Sequence, residues 1–396
     1  MNRLRLAAGA AVVAVLAASG AAAQSRPPGL APDPSSVEAG LWSTSERAER
    51  DARASAELNP DADLNAYVRE VMCSVASEYC SEVRVYVMDR QLFNATAAPN
   101  GYIEVWSGLL LRAQSEAELA FVLGHEIGHF AENHTFERFN TLKTYATVAM
   151  VITLGAGLAG AYYGIDLTSV GDLAYLSAMA AFYGYNRGQE TEADVFGLRR
   201  AAAAGYDPAA GAAIWRSLQA ETAASTFPSV RRSEAANSLF RTHPLTAERI
   251  AGLDRLATDL RGPQRADAAR HRAAIRPFLG PWLKEELLRR DFGGLLHVLD
   301  RLDDVGEDLG VLEFYRGEVF RQRRGEGDLE KAVAAYRASV AHADAPAAAW
   351  RELGDAERKL GNGPAARAAW SRYLEIAPDA DDGWIVADSL QSLETT

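Results

Sequence analysis

The 396-residue chain carries 41 Lys and Arg against 53 Asp and Glu, a net charge of −12, with 48% hydrophobic residues and seven His. That length holds two or three domains, and the mix of apolar and charged residues excludes both a disordered chain and a polytopic membrane protein. An acidic surface of this size disfavours nucleic acid and anionic membrane surfaces as partners and says little about peptide substrates.

The N-terminus reads as an export signal. Arg3 and Arg5 precede an apolar stretch from Leu6 to Leu16, and small residues follow to Ala21-Ala22-Ala23 before Gln24. That order predicts a signal peptide over 1–23 with an Ala-x-Ala cleavage site, and therefore a periplasmic chain. The alternative, an uncleaved anchor, has an apolar core short for a span. Residues 24–60, rich in Pro, Ala and charge, read as a linker followed by a polar helix from Ser43 to Leu58.

A compact domain is expected over 61–260. Its order is a helix from Leu64 to Ala76, a strand from Val83 to Met88, a loop from Phe93 to Asn100, a strand from Tyr102 to Trp106, then helices. The alternation Val83, Val85, Val87 has the period of a half-buried strand, and Pro99-Asn100-Gly101 turns the chain into the second one. Cys73 and Cys80, the only cysteines, are expected to form a small disulfide in an exported chain, with two buried thiols as the alternative.

The segment from Ser115 to Phe130 predicts a helix, opened by Ser115 and Glu118 as a capping box. It carries His125-Glu126-Ile127-Gly128-His129. Residues four apart share a helix face, so the two imidazoles can hold one metal ion, and Glu126 can act as general base on a metal-bound water. A catalytic zinc takes three protein ligands and leaves a position open. Glu190 and Asp194, four apart, supply the third ligand and a carboxylate to orient a ligand His; Glu192 is expected on the solvated side. His134 should fall on the opposite face of the helix, as a surface or packing residue. His243, before Pro244, sits where an extended segment starts a helix. It could be a fourth ligand, an oxyanion donor, or a capping residue.

Thr144 to Ile165 is uncharged and contains Gly155, Gly157, Gly160 and Gly164. A single crossing there would separate His125 from everything after Asp166, and the next uncharged segment, Leu173 to Asn186, is too short to return. A buried or membrane-dipping hairpin over the site is expected rather than a span; membrane association through 144–165 stays open.

Residues 261–396 turn to Arg- and Ala-rich helices. Trp350, Leu353, Gly354, Ala366, Trp370 and Pro378 fit one tetratricopeptide unit, with Glu357 in the usual Tyr position. Gly317, Phe320, Ala332 and Tyr336 suggest an upstream unit, and Trp282 to Leu302 a more degenerate one; a generic helical bundle is the alternative.

The region from Leu64 to Leu256 resembles the zinc metallopeptidase family M48, the group of HtpX, the Ste endopeptidases and the periplasmic BepA-type proteases. The matching residues are Arg84-Val85-Tyr86-Val87, Phe93-Asn94-Ala95, Pro99-Asn100-Gly101, Gly108-Leu109-Leu110, Glu118-Leu119-Ala120, His125 to His129, Glu190 to Asp194 and His243-Pro244. The resemblance implies one Zn2+ per chain bound by His125, His129 and Glu190, Glu126 as catalytic base, and a role near the metal for His243. The expected fold class is α+β and mostly helical: a gluzincin-type metallopeptidase domain with a small β-sheet, then an α-helical tetratricopeptide-like domain. An exported form with such a tail is most similar to the BepA-type subgroup, which acts in envelope protein quality control. Substrates are then unfolded or misassembled envelope proteins, with a possible envelope partner at the repeats. Substrate is expected to lie extended along Tyr102, Ile103, Glu104 and Val105, near Asn94 and Ala95. The rival from another class is a non-proteolytic chaperone or adaptor with a structural zinc, which has no need of Glu126.

Overall fold

A computed structural model describes residues 25–141, 185–232, 243, 245–260, 262 and 264–394. The signal-peptide reading of 1–23 and the hairpin reading of 144–165 lie outside the described residues. Among those described, no helix is long and apolar enough to cross a membrane.

The elements run α1 (Val37–Arg53), α2 (Ala62–Val75), β1 (Arg84–Met88), β2 (Ala95–Ala97), β3 (Tyr102–Trp106), α3 (Ser107–Arg112), α4 (Glu116–Ala131), α5 (Arg187–Ala203), α6 (Ala209–Ala224), α7 (Pro228–Arg232) and α8 (Ala247–Asp259). Then come α9 (Ala268–Ile275), α10 (Leu279–Leu288), α11 (Phe292–Asp303), α12 (Leu309–Arg323), α13 (Asp328–Ser339), α14 (Ala347–Lys359), α15 (Gly363–Ile376) and α16 (Gly383–Glu394). Among the described residues the chain is thus mostly helical with one small sheet.

The sheet has the order β1-β3-β2, with β1 parallel and β2 antiparallel to β3. Its short edge strand, β2, arises inside the segment expected to be a loop. The turn before β3 needs Gly101, whose φ is +81° and whose Cβ, if it had one, would lie 2.6 Å from the Glu82 carbonyl oxygen. Helices α2 and α4 cover one face of the sheet. The other face carries α1, where the buried Glu49 accepts from Arg84 Nε (2.7 Å) and Tyr86 Oη (2.9 Å). The helix expected over Ser43 to Leu58 therefore forms as Val37–Arg53 and is docked on the sheet.

The disulfide Cys73–Cys80 forms, tying the last turn of α2 to the chain entering β1. Further forward, Arg26 places its guanidinium over the rings of Trp42 (4.5 Å) and Phe130 (4.8 Å), while its backbone N–H donates to the Ala131 carbonyl at the end of α4 (2.7 Å).

The main hydrophobic core does not stop near residue 260. It runs from Leu64 through Trp215 and Trp282 to Val319, so α9 to α12 pack into the same core as α4. Charges join the parts as well: Arg112 of α3 donates to Glu221 of α6 and Glu286 of α10, and Arg301 of α11 donates to Glu118 on α4. Beyond Val319 two smaller clusters form around Tyr336 and Trp370. In each, a ring of the second helix sits against a glycine of the first: Tyr336 on Gly317, Trp370 on Gly354.

Candidate metal centre

The centre depends on how closely α4 and α5 approach. Ser115 caps α4 by accepting from the Glu118 N–H (3.2 Å), while the Glu118 carboxylate accepts from the Gln114 N–H (2.8 Å). Every residue of α4 is buried. A Cβ on Gly124 would lie 2.9 Å from Gly197 Cα, one on Gly128 3.0 Å from Ala193 Cα, and one on Gly197 2.6 Å from the His125 nitrogen. Small residues four apart on both helices thus let the backbones touch, which is closer than side-chain interdigitation allows. Glu190 and Asp194 lie on the α5 turns alongside Ala193 and Gly197, so this seam aims them at His125 and His129.

His125, His129, Glu190 and His243 converge, all buried, with one donor atom from each lying within 4.8 Å of the others. His125 Nε2 is 3.1 Å from His129 Nε2 and 3.2 Å from His243 Nδ1. Glu190 Oε1 is 2.9 Å from His243 Nδ1 and 3.5 Å from His129 Nε2. Donors about 2.0–2.1 Å from a tetrahedral zinc are spaced at roughly 3.3 Å, so the set fits that ion. Hydrogen bonding agrees. His125 Nδ1 lies 3.0 Å from Asp194 Oδ1, so its proton sits there and Nε2 presents a lone pair. Two imidazole lone pairs 3.1 Å apart repel unless a cation lies between them.

Asp194 and Glu190 share Arg249 of α8. Its Nε donates to Asp194 Oδ2 (2.7 Å), its Nη2 to Asp194 Oδ1 (2.8 Å), and its Nη1 lies 2.6 Å from Glu190 Oε2. Burial pushes Asp194 up, but Arg249 and His125 outweigh it and hold the carboxyl at about 2. Burial likewise opposes ionisation of Glu190, and His243, His125 and Arg249 still bring it below its ordinary value. Burial lowers His129 well below a normal histidine, helped by the neighbouring imidazoles. His243 goes the other way: burial lowers it, but Glu190 and Glu126 raise it further. Glu126 is raised, by burial first, against the pull of His243 and His125. Its Oε1 is buried with no hydrogen-bond partner among the described residues, and His243 Nε2 is 3.9 Å away. A buried carboxylate oxygen left open beside a cation site suits a proton acceptor for bound water.

Three parts of the arrangement depart from the sequence reading. First, α4 ends at Ala131 and Asn133 takes φ 54°, so the chain folds back and His134 does not continue the helix. His134 is buried with Nδ1 2.9 Å from His129 Nδ1, and Glu192, half exposed, faces its Nε2 at 3.3 Å. Second, Tyr185 stacks on the His129 ring at 3.9 Å and bonds Thr135 through its hydroxyl (3.0 Å). Neither Tyr185 nor Arg249 stood out in the sequence, because no short-range spacing links them to the histidines.

Third, Tyr102, Ile103, Glu104 and Val105 lie on the central strand, with β1 bonded along one edge and β2 along the other. Main-chain pairing of substrate along them is closed off, which corrects that expectation. Asn94 and Ala95 lie at the start of β2, the edge strand, and β2 passes over α4, where the Ala97 N–H faces Glu126. Asn94 is buried and its Oδ1 has no hydrogen-bond partner among the described residues.

Four buried donors placed to hold one cation, beside a carboxylate with one oxygen open among the described residues, are the arrangement of a metallopeptidase. The pattern of peptidase family M48 matches residues 59–257, and the chain belongs to that family. It is 32% identical over 134 residues to the mitochondrial metalloendopeptidase OMA1 of Arabidopsis thaliana, covering 34% of this chain and 25% of that one. To the beta-barrel assembly-enhancing protease of Yersinia pestis it is 26% identical over 243 residues, 60% of this chain and 48% of the other. To the Escherichia coli protease of the same name it is 25% identical over 218 residues, 54% and 42%. The chain thus spans less than half the length of these relatives.

Proposed function

We propose that the chain is an exported zinc endopeptidase that hydrolyses unfolded or misassembled envelope proteins. The buried cluster of His125, His129, Glu190 and His243 around the open oxygen of Glu126 supports this most strongly. In this reading His125, His129 and Glu190 hold the ion. Zinc held there would polarise the scissile carbonyl and bring the pKa of a water towards ~7.

Glu126 takes the proton of the attacking water and passes it to the leaving amine; its burial, which raises its proton affinity, suits both transfers. Asp194, clamped by Arg249, keeps the His125 proton on Nδ1 and its Nε2 free for the ion. Substrate runs antiparallel along the free edge of β2, Ala95–Ala97, and the open Asn94 Oδ1 accepts a substrate N–H. Recognition through main-chain bonds leaves side-chain selectivity loose. The apolar, Arg-led segment at 1–23 and the Cys73–Cys80 disulfide support export to an oxidising compartment. The names of the bacterial relatives, read with tetratricopeptide-like helix pairs after residue 260, support envelope substrates and an envelope partner.

A second reading concerns regulation. Because His243 Nδ1 stands within the donor set, 3.2 Å from His125 Nε2, it can close the ion's open position and hold the enzyme at rest.

Casein degradation by the mature chain separates these readings. Activity in wild type and less than about 1% of it in Glu126→Gln is the expected result, because a lost general base costs 10²-fold or more. Silence in wild type with activity in His243→Ala would identify a resting state closed by His243. Silence in all three, with zinc bound, would favour a chaperone or adaptor.

A further inference from the structure

The two helix-borne histidines of the cluster have unequal support. His125 rests on a buried carboxylate that is itself locked by Arg249. On its outer nitrogen His129 meets a second imidazole, His134, and, among the described residues, no carboxylate (Nδ1 to Nδ1, 2.9 Å). His134 Nε2 then lies 3.3 Å from Glu192 Oε2, whose side chain is 59% exposed.

From this we infer that His134 and Glu192 are positioning residues for the metal ligand His129, forming a relay that fixes its tautomer from the solvent side. The inference rests on the zinc-ligand reading above and adds two residues to it.

The hydrogen-bond logic admits one arrangement. For His129 to face the cluster with a lone pair on Nε2, its proton must sit on Nδ1. That N–H points at His134 Nδ1, which must then accept. A neutral His134 that accepts at Nδ1 carries its own proton on Nε2, and the atom facing that proton is a carboxylate oxygen. Each donor finds an acceptor: Glu192 accepts from His134, His134 accepts from His129, and His129 keeps Nε2 free. Reversing any one member sets two N–H groups or two lone pairs against each other.

Packing holds the relay in place. Tyr185 covers one face of the His129 ring at 3.9 Å. His134 is only 1% exposed, brought there by the left-handed backbone at Asn133. A continued helix would have carried residue 134 about 140° round from His129. The fold-back returns it to the His129 ring. Glu192 uses the face of α5 that turns away from Glu190 and Asp194, so one helix serves both histidines from two sides. The consequence is an asymmetric site, with one ligand set by a closed ion pair and the other by groups that end at the surface.

The test measures zinc affinity of the full mature chain by competition with a chromophoric chelator, beside the d–d spectrum of the Co2+-substituted protein. His134→Phe should weaken zinc binding about 10- to 100-fold, the range for a lost orienting partner of a ligand His. His134→Asn, which can set its Oδ1 where Nδ1 stood, should restore affinity to within about 3-fold and return the Co2+ bands to their wild-type positions. Glu192→Gln, at an exposed position where misfolding is not at issue, should lose about 2- to 5-fold. Wild-type affinity in both His134→Phe and Glu192→Gln would overturn the relay. Equal losses in His134→Phe and His134→Asn would overturn it too, since packing and not acceptance would then be at work. A wild-type chain that binds no zinc would sink the ligand reading itself.

Discussion

At the crossing of α4 and α5, glycine removes side chains so that two backbones can touch; in the pairs α12–α13 and α14–α15 it clears room for one large ring. The first use leaves nothing to adjust. A Cβ on Gly197 would meet the His125 nitrogen at 2.6 Å, and neither partner is a side chain that can rotate away. In the second use the neighbour of Gly354 is the Trp370 indole, a side chain in a small local cluster. The same residue type therefore serves tight tolerance at the centre and local packing in the tail.

The sharpest way to break this contrast is Gly197→Ala. The added methyl must part the helices, and we expect a loss of about 3 kcal/mol of stability, at the upper end for overpacking, together with loss of stoichiometric zinc. Thermal unfolding with metal analysis of the purified variant checks it. Unchanged zinc content would show that the seam tolerates more play than its distances imply.

A milder break is Gly354→Ala. The ring can shift, so about 1–2 kcal/mol is expected from overpacking. Cleavage of a short peptide, which asks nothing of the tail, should stay at the wild-type rate; a drop in that rate would couple the tail to the centre.

A dependence on pH sharpens the border between the two regions. His271 of α9 is buried, with Nδ1 3.0 Å from Tyr67 Oη and Nε2 2.9 Å from the Leu110 carbonyl oxygen, and burial lowers it to about 4 against the Leu110 bond, which raises it. An unfolded histidine titrates near 6.5. Between those values the unfolded chain binds the extra proton, so the stability His271 gives is whole above about pH 6.5 and falls as pH drops towards 4. From pH 7 to pH 5 this comes to about 2 kcal/mol. Denaturant unfolding of the metal-free chain at both pH values should show that loss in wild type and a smaller one in His271→Gln.

Local chemistry was legible in the residues; long-range pairing was not. The strand Tyr102–Trp106, the Gly101 turn and the Ser115 cap depend on near neighbours, and each formed within a residue or so of where the pattern put it. Likewise, helical spacing put Glu190 and Asp194 on one face of a helix, and that face is set against His125 and His129. Which strand lies at the sheet's edge depends on a parallel crossover from β1 to β3, so local pattern did not reveal that Tyr102–Val105 would be paired on both sides. Arg249 and Tyr185 reach the centre only through tertiary packing. His134 was misjudged because the end of α4 rests on one left-handed residue, Asn133, which helical periodicity does not foresee. The border near residue 260 looked natural in composition, yet the apolar core continues across it through Trp282 to Val319, and Arg112 and Arg301 add ion pairs there.

The wide spacing of the cluster along the chain also sets an order of events during synthesis. His125 and His129 are made long before Glu190, and His243 and Arg249 come later still. Until about residue 249 has emerged, Glu190 and Asp194 have no Arg249 to share, although His125, His129 and Glu190 are already made. Joining ends so far apart adds only a few kcal/mol of loop-closure cost, but it must be met before any of the contacts form. The centre is thus braced late, when Arg249 arrives to pair with two carboxylates made well before it.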